Sequence, residues 1–381
     1  MDDLTRLRDE GYDVELHGAY LLVNDVPYVT TEKAVARGCL VMAATMAGDA
    51  LATPGDHTAH FRGSEPCNAE GRPLTNVINS RRSSEFVPGI RTDFYLSAKP
   101  KSGIYASHYD KVTTYVSLIS RWAGAIDEGA TARTFPVRGA GGGDDEDPFV
   151  YRDSASSRAG TTALNSVFRG MRIAIVGLGG TGSHILDLVA KTPVGEIHLY
   201  DGDEFVNHNA FRAPGAADVS DLRSRPNKAE YWAKQYSRIK RGVTSHQTYF
   251  DAETCQEVEG FDFVFLSLDD GADRDGIASA LEAVGMAFID VGMGVTDTGS
   301  GLTGVLRVST SIPERRVQMP TGGAAPDVYE RNIQIGDLNA LNAALAVIQW
   351  KRHIGFYADM ATDVSAFAYP VSDNTITPLT T

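Results

Sequence analysis

The sequence has 381 residues, of which 43% are hydrophobic, and its formal net charge is -14 at pH 7. This length suggests two domains, and the acidic balance argues against a general binder of nucleic acid or of a membrane surface. No apolar run approaches the ~18 residues that span a bilayer, and the charged N-terminal stretch is unlike a secretory signal peptide. We therefore expect a cytoplasmic protein with neither nucleic acid nor membrane as a partner.

The three cysteines, Cys39, Cys67 and Cys255, are widely spaced and include no CxxC pair. Neither a disulfide framework nor a cysteine-based zinc site is indicated. We expect Cys255 to be buried in a helix, and we expect Cys67 to lie in a loop where its thiol is open to solvent.

The first part of the chain has an α+β pattern. "AYLLVNDVPYVT" predicts two short strands joined by a turn at Asn24 and Asp25, and "KAVARGCLVMAATM" is either a weak helix or a buried strand. Residues 56–100 are rich in Gly, Pro, Ser and Arg and are expected to be loop-heavy. "YDKVTTYVSLISRWAGAI" has a helical apolar face that contains Val112, Tyr115, Val116, Ile119 and Trp122.

A glycine run followed by an acidic run, "RGAGGGDDEDPF", marks the predicted boundary between the domains. We predict a smaller α+β domain at residues 1–138, a linker at 139–150, a larger domain at 151–372 and a polar tail at 373–381.

The larger domain alternates strands and helices. Helices are predicted between the strand candidates, which are "RIAIV", "EIHLYD", "SHQTYF", "FDFVFLSL" and "AFIDVGM". This alternation indicates βαβ units and a mostly parallel sheet. "LTGVLRVSTS" is expected to extend the sheet antiparallel, and "GDLNALNAALAVIQWKRHIGF" predicts a long buried helix. The predicted fold class is α/β, with a Rossmann-like domain after the smaller one.

A glycine-rich turn follows the first of these strands and opens a helix. Its glycines are Gly177, Gly179, Gly180 and Gly182. Small residues let the backbone approach a phosphate, and free N–H groups at a helix N-terminus favour an anion. The next strand ends at Asp201, roughly 20 residues on, where an acid binds nucleotide ribose. At this point NAD, FAD and ATP all remain open.

Charged and polar residues follow in an arrangement that suits a triphosphate. Arg212 can neutralise phosphate charge, Asn209 can orient a phosphate, and Lys228 opens a helix, where a cation opposes the dipole unless an anion lies nearby. The strand "DFVFLSL" is followed by Asp269 and Asp270. We expect Asp270 to cap the next helix and Asp269 to be a Mg²⁺ ligand.

These motifs in this order resemble the ThiF/MoeB superfamily, the adenylating domains that activate ubiquitin and ubiquitin-like proteins. The resemblance covers roughly residues 169–356. Two departures are Ala213, where the family commonly has Gln, and Phe205, where a small aliphatic residue is usual.

The resemblance implies ATP and Mg²⁺ as cofactors and assigns roles residue by residue. The four glycines together with Asp201 and Asp203 would bind the nucleotide. Catalysis would involve Asn209, Arg212, Lys228 and Asp269, with Asp269 holding the metal. An upstream arginine that reaches across a homodimer would be Arg152 or Arg158, and the sequence does not choose between them.

The implied activity is adenylation of the C-terminal glycine carboxylate of a ubiquitin-like or sulfur-carrier protein, with release of pyrophosphate. The segment after "FIDVGM" contains no cysteine, so transfer to a partner nucleophile without an internal thioester is expected. Within that segment, Arg315 and Arg316 can guide the substrate tail or be a solvated basic pair.

The N-terminal domain looks like the extra domain fused to ThiF-type domains in bacterial ubiquitin-like conjugation operons. It would dock the ubiquitin-like protein or an acceptor conjugating protein. Two alternatives stay open for the whole chain, a nucleotide-binding scaffold without turnover and an NAD- or FAD-dependent oxidoreductase.

Overall fold

The computed structural model describes residues 2–47, 50–87, 89–137, 147–251, 254–258, 260–268, 271–317, 333–358, 364–373 and 375–379. The chain divides into two compact units, which are Met1–Arg138 with Ser154–Ala159, and Gly139–Asp153 with Gly160–Thr381. Each unit has its own hydrophobic core.

The first unit is an antiparallel sheet packed against helices. Its helices are α1 (Asp3–Asp9), α2 (His108–Ile126) and α3 (Ser154–Arg158). Its strands are β1 (Val14–His17), β2 (Tyr20–Val29), β3 (Val35–Ala43), β4 (Met46–Ala47), β5 (Ala50–Leu51), β6 (Thr58–Arg62), β7 (Ile78–Val87) and β8 (Ile90–Ser97). The main sheet has the order β1-β2-β3-β6-β8-β7, and β4 pairs with β5. Apolar side chains of α1 and α2 pack with those of the sheet in one core.

Two sequence predictions for this unit need revision, and one open alternative is resolved. The two strands predicted around Asn24 and Asp25 are one strand, β2, because the chain accommodates these residues as a bulge between Val23 and Val26. "KAVARGCLVMA" is strand β3 and not a helix. The prediction of a loop-heavy segment at 56–100 is wrong, since β6, β7 and β8 lie there. The exposed strand β7 at the sheet edge carries the Arg and Ser residues that suggested loops.

The second unit alternates strands and helices as predicted. Its strands are β9 (Arg172–Val176), β10 (Glu196–Tyr200), β11 (Val243–His246), β12 (Phe263–Leu266), β13 (Phe288–Asp297), β14 (Leu302–Ser311), β15 (Ala366–Pro370) and β16 (Thr377–Pro378). Its helices are α4 (Gly180–Val189), α5 (Asn207–Ala210), α6 (Val219–Ser224), α7 (Lys228–Tyr236), α8 (Gly271–Ala283) and α9 (Gly336–His353), with 3-10 turns at Leu164–Phe168 and Thr254–Val258.

The sheet of this unit has the order β11-β10-β9-β12-β13-β14-β15-β16. The first five strands of that order pair in parallel, and β14, β15 and β16 are added antiparallel, as expected for "LTGVLRVSTS". Strand order reverses between β9 and β12. In open α/β sheets, ligands bind at the carboxyl ends of the strands beside such a reversal. The topology therefore locates a candidate site where β9, β10 and β12 end.

Helices cover both faces of this sheet. Residues of α4, α7 and α9 share one core with the sheet, and α9 contributes the buried Trp350. A second core on the opposite face includes Ile277 and Leu281 of α8 together with Cys255. Burial on both faces explains why the central strands are continuous apolar runs rather than alternating ones.

The predicted fold class is confirmed: a mixed α/β unit with a mostly parallel sheet follows a unit rich in antiparallel sheet. The predicted domain limits stay a prediction. Residues 139–146 of the predicted linker lie outside the described residues, and α3 belongs to the first unit. Thr377–Pro378, within the predicted tail, pairs with β15. Among the described residues, no helix is long and apolar enough to cross a membrane.

Candidate nucleotide site

The glycine turn joins β9 to α4 at the reversal of strand order. Gly177 has φ +83°, and a Cβ there would lie 2.2 Å from the carbonyl oxygen of Ser267, at the end of β12. A Cβ on Gly182 would lie 1.9 Å from the carbonyl oxygen of Gly177, and one on Gly180 would lie 2.3 Å from the side chain of Asn339. Packing alone therefore requires glycine at three of the four positions.

Gly179 is the exception. A Cβ added there would meet nothing within 4 Å. This residue is the N-cap of α4, and no side chain caps the helix at that point. The space beside Gly179 thus adjoins the N–H groups of the first helical turn, an arrangement that fits an anionic group such as a phosphate.

Asp201 follows β10 directly and faces the glycine turn. Its carboxylate accepts hydrogen bonds from the backbone N–H groups of Leu178, at 2.7 Å, and Asp203, at 2.9 Å. The residue is only 8% exposed, and burial raises the pKa of its carboxyl while Lys228 and the two N–H groups oppose that rise. Asp201 thus fixes the turn, and each oxygen retains a lone pair that can accept from a ribose hydroxyl.

Lys228 lies buried between the two acids of this strand end. Its Nζ is 2.7 Å from Asp203 Oδ2 and 3.7 Å from Asp201 Oδ1. The sequence suggested an anion near this helix start, and the carboxylates of Asp203 and Asp201 supply it. Burial raises the pKa of Asp203, but the hydrogen bonds from Lys228 and Tyr249 together lower it below its usual value.

Asn227, which the sequence reasoning missed, holds this arrangement. Its Oδ1 caps the first turn of α7, and its Nδ2 donates to the backbone carbonyls of Asp201 and Asp203. An Asn directly before a helical pattern is an N-cap signal, and that signal could have identified it. One side chain therefore ties the start of the lysine-bearing helix to the acidic strand end.

Asn209 and Arg212 lie on and just after α5. Asn209 is 3% exposed, and its Oδ1 accepts from the backbone N–H of Val206, which closes the helix start. Burial lowers the pKa of His208, and the charges of Arg212 and Lys228 lower it further. His208 therefore lies within the electrostatic field of both cations.

Arg152, Arg158, Asp269 and Asp270 stay predictions for this site. Asp269 and Asp270 lie outside the described residues. Arg158 belongs to the first unit, where its guanidinium lies 5.9 Å from the ring centroid of Phe135, and Arg152 belongs to the second unit. Among the described residues, no group of three or more His, Cys, Asp or Glu side chains could hold a metal ion.

The cysteines are all buried. The expectation that Cys67 is exposed is wrong, because the residue pairs with Val29 and Pro73 through backbone bridges and is 0% exposed. Burial raises the pKa of its thiol, and it raises the pKa of Cys39 and of Cys255 to about 11.

Arg316 has a local structural role. Its guanidinium donates to the backbone carbonyls of Glu282 and Met286, at the end of α8. Cations at this end of a helix satisfy carbonyls that have no intrahelical partner. The structure therefore gives Arg316 a position that does not depend on a substrate.

The fold and the site together define a class: a Rossmann-like α/β domain with a glycine turn, a strand-end acid and a buried lysine at its ligand crevice. Residues 152–322 match the ThiF family model, so the chain carries a ThiF family domain, and this confirms the resemblance. Residues 2–154 match the model of a domain of unknown function, DUF6791. No protein of curated function matches the chain.

Several solved structures are similar. Escherichia coli MccB with succinimide is 17% identical, with a TM-score of 0.48, over 57% of this chain and 66% of that chain. E. coli MccB with ATP is 18% identical, with a TM-score of 0.47, over 57% of this chain and 66% of that one. PaaA is 15% identical, with a TM-score of 0.45, over 57% and 75%. The chain thus spans just under two thirds of the first MccB structure.

Proposed function

We propose that the second unit binds Mg·ATP and adenylates the C-terminal glycine carboxylate of a ubiquitin-like or sulfur-carrier protein. The observation that carries this proposal is the open space at Gly179, beside Asp201 and Lys228, within a ThiF family domain. Three of the four glycines are explained by packing alone. The fourth is explained by a ligand that approaches the first turn of α4.

In the proposed reaction, a carboxylate oxygen bonds to the α-phosphorus of ATP, and the bond from that phosphorus to the bridging oxygen breaks, so that pyrophosphate leaves. Two anions meet in this step, and the contribution of the protein is positioning and positive charge. ATP supplies the adenylyl group, and Mg²⁺ would neutralise phosphate charge with Asp269 as the proposed ligand.

Each residue of the site has a separate role in the proposed reaction. The N-terminal turn of α4 receives a phosphate, and Asp201 accepts from the ribose. Lys228 and Arg212 offset phosphate charge, and Asn209 orients one phosphate oxygen. Because Lys228 is paired with Asp203 at 2.7 Å, a phosphate must compete with that carboxylate for the ammonium group.

Direct transfer of the acyl group to a partner nucleophile is part of the proposal. A thioester needs an accessible thiolate, and all three thiols are buried with raised pKa values. We further propose that the first unit docks the ubiquitin-like protein or a conjugating acceptor, and that the chain forms a homodimer in which Arg152 or Arg158 reaches the partner's nucleotide.

Thermal unfolding tests the nucleotide assignment. A ligand that binds only the folded state stabilises it by about 2.7 kcal/mol at a hundred times its Kd. We expect Mg·ATP to raise the unfolding temperature, whereas NAD⁺ and FAD leave it unchanged. A rise with NAD⁺ or FAD alone would refute adenylation and support the oxidoreductase alternative.

One observation favours a scaffold without turnover: the carboxylates of Asp201 and Asp203 already neutralise the charge of Lys228. Exchange of labelled pyrophosphate into ATP, measured with ubiquitin-like proteins that end in glycine, separates the two functions. An enzyme exchanges pyrophosphate only when such a protein is present, whereas a scaffold binds Mg·ATP and exchanges none.

A further inference from the structure

Tyr249 places an exposed aromatic ring beside the candidate site. It follows β11 by three residues and is 67% exposed, whereas the next residue, Phe250, is 6% exposed. Phe250 packs edge-on against Tyr200 in the core. The chain therefore buries one aromatic ring at this strand end and leaves its neighbour open to solvent.

Two contacts fix the exposed ring. The Tyr249 hydroxyl donates to Asp203 Oδ1 at 2.7 Å, and the other oxygen of that carboxylate binds Lys228. The ring also lies against Gly202, where an added Cβ would be 2.8–2.9 Å from three ring carbons. Similar distances to three ring atoms mean that one face of the ring covers Gly202, and any larger residue there would displace it.

The position of the ring relative to Asp201 indicates which part of a nucleotide the ring would contact. Gly202 directly follows Asp201, so the ring covers the residue next to the acid proposed to bind ribose. One ring face rests on the backbone, and the large exposed fraction leaves the opposite face to solvent. A flat, anchored aromatic surface beside a ribose site is suited to the group that ribose carries, the base.

We infer that Tyr249 is the surface on which the base of the bound nucleotide stacks. This inference rests on the proposed function, because it takes Asp201 as the ribose ligand. Stacking on an aromatic ring tolerates every base, since each base has a π face. Tyr249 therefore contributes affinity for a nucleotide whatever its base, and it contributes nothing to the binding of the triphosphate alone.

Calorimetric binding measurements on the full chain test the inference with two probes, Mg·ATP and Mg·tripolyphosphate. Tyr249→Ala removes the ring, and we expect about tenfold weaker binding of ATP, as for the loss of one base–aromatic stack, with tripolyphosphate unchanged. Tyr249→Phe keeps the ring and removes only the hydroxyl, so ATP binding should stay within about threefold. The unfolding temperature of each variant shows that it is folded.

The other outcomes overturn the inference in distinguishable ways. Equal or tighter ATP binding by Tyr249→Ala means that the ring does not contact the base. A matched loss for ATP and tripolyphosphate means that Tyr249 acts through Asp203 and Lys228 on the phosphates. If the wild-type chain binds tripolyphosphate but not ATP, or binds neither, the proposed function itself fails.

Discussion

Substitution by alanine should have opposite effects on folding stability and ATP binding at two glycines of the turn, Gly182 and Gly179. In Gly182→Ala, the new methyl group would lie 1.9 Å from the carbonyl oxygen of Gly177, far inside any contact distance. Both atoms belong to backbone in the core of the β9–α4 unit, so neither can turn aside. Overpacking of this kind costs about 2–3 kcal/mol, which lowers the unfolding temperature of a domain of this size by about 4–12 °C.

Gly179→Ala is the matched variant. Its methyl group would meet nothing within 4 Å, and the backbone there is extended, with a φ of -70° that lies outside the left-handed region favouring glycine. The loss of a favourable N-cap residue is offset by the lower entropy of the unfolded chain, and we expect a net change within about 0.5 kcal/mol. The methyl group would, however, occupy the space proposed for a phosphate.

The assay combines thermal unfolding with Mg·ATP binding by calorimetry. We expect Gly179→Ala to unfold like the wild-type chain and to bind Mg·ATP at least about tenfold more weakly, because a methyl group there holds the phosphate away from the helix N-terminus. Unchanged ATP binding by Gly179→Ala would refute the assignment of this space to a phosphate. Normal stability of Gly182→Ala would refute the packing argument for the turn.

Two further predictions concern charge and thiols. Lys228→Met removes the cation between the half-exposed Asp203 and the buried Asp201 and should cost about 1 kcal/mol or more at pH 7, since solvent screens the pair with Asp203. Because the pair lowers the pKa of Asp203, its stabilisation is present above the unfolded value of about 3.9 and is lost as the pH falls through the lower folded value. Urea unfolding between pH 7 and pH 2 should therefore show that the stability difference between the two chains shrinks below about pH 3.9, and a constant difference over this range would contradict the explanation. Because Cys39, Cys67 and Cys255 are buried, Ellman's reagent should react only slowly with the folded chain. After unfolding, it should react with all three thiols. A thiol that reacts quickly in the folded chain would reopen the possibility of an internal thioester.

The larger unit could be predicted well from its sequence because its hydrophobic pattern and its turn residues both agree with the fold that it adopts. Central strands between two helical layers are continuous apolar runs, and the glycine turn lies between a strand and a helix. The position of Asp201 follows from the strand that precedes it. In the smaller unit, by contrast, β7 pairs at an edge with exposed arginines and serines, and composition alone resembles a loop there. Long-range strand pairing, which the sequence does not display, decides whether this segment is a strand or a loop.

The site was predicted as a set of residue types, and the sequence could not show which groups neutralise one another. Lys228 illustrates this limit. Its place at a helix start indicated a nearby anion, and the anion proved to be Asp203, a residue that the resemblance assigned to the nucleotide. Tyr249 was missed for a related reason, since only the fold brings the end of β11 onto Gly202 at the end of β10.

These two contacts converge on a single carboxylate, and that convergence has a consequence for binding. Asp203 shares its oxygens between Lys228 and Tyr249. A phosphate that draws Lys228 away would leave this half-exposed carboxylate with the phenol as its remaining side-chain partner in the described site. The ring therefore keeps its anchor over Gly202 when a phosphate binds Lys228, so the base and the phosphates of one nucleotide can be bound at the same time.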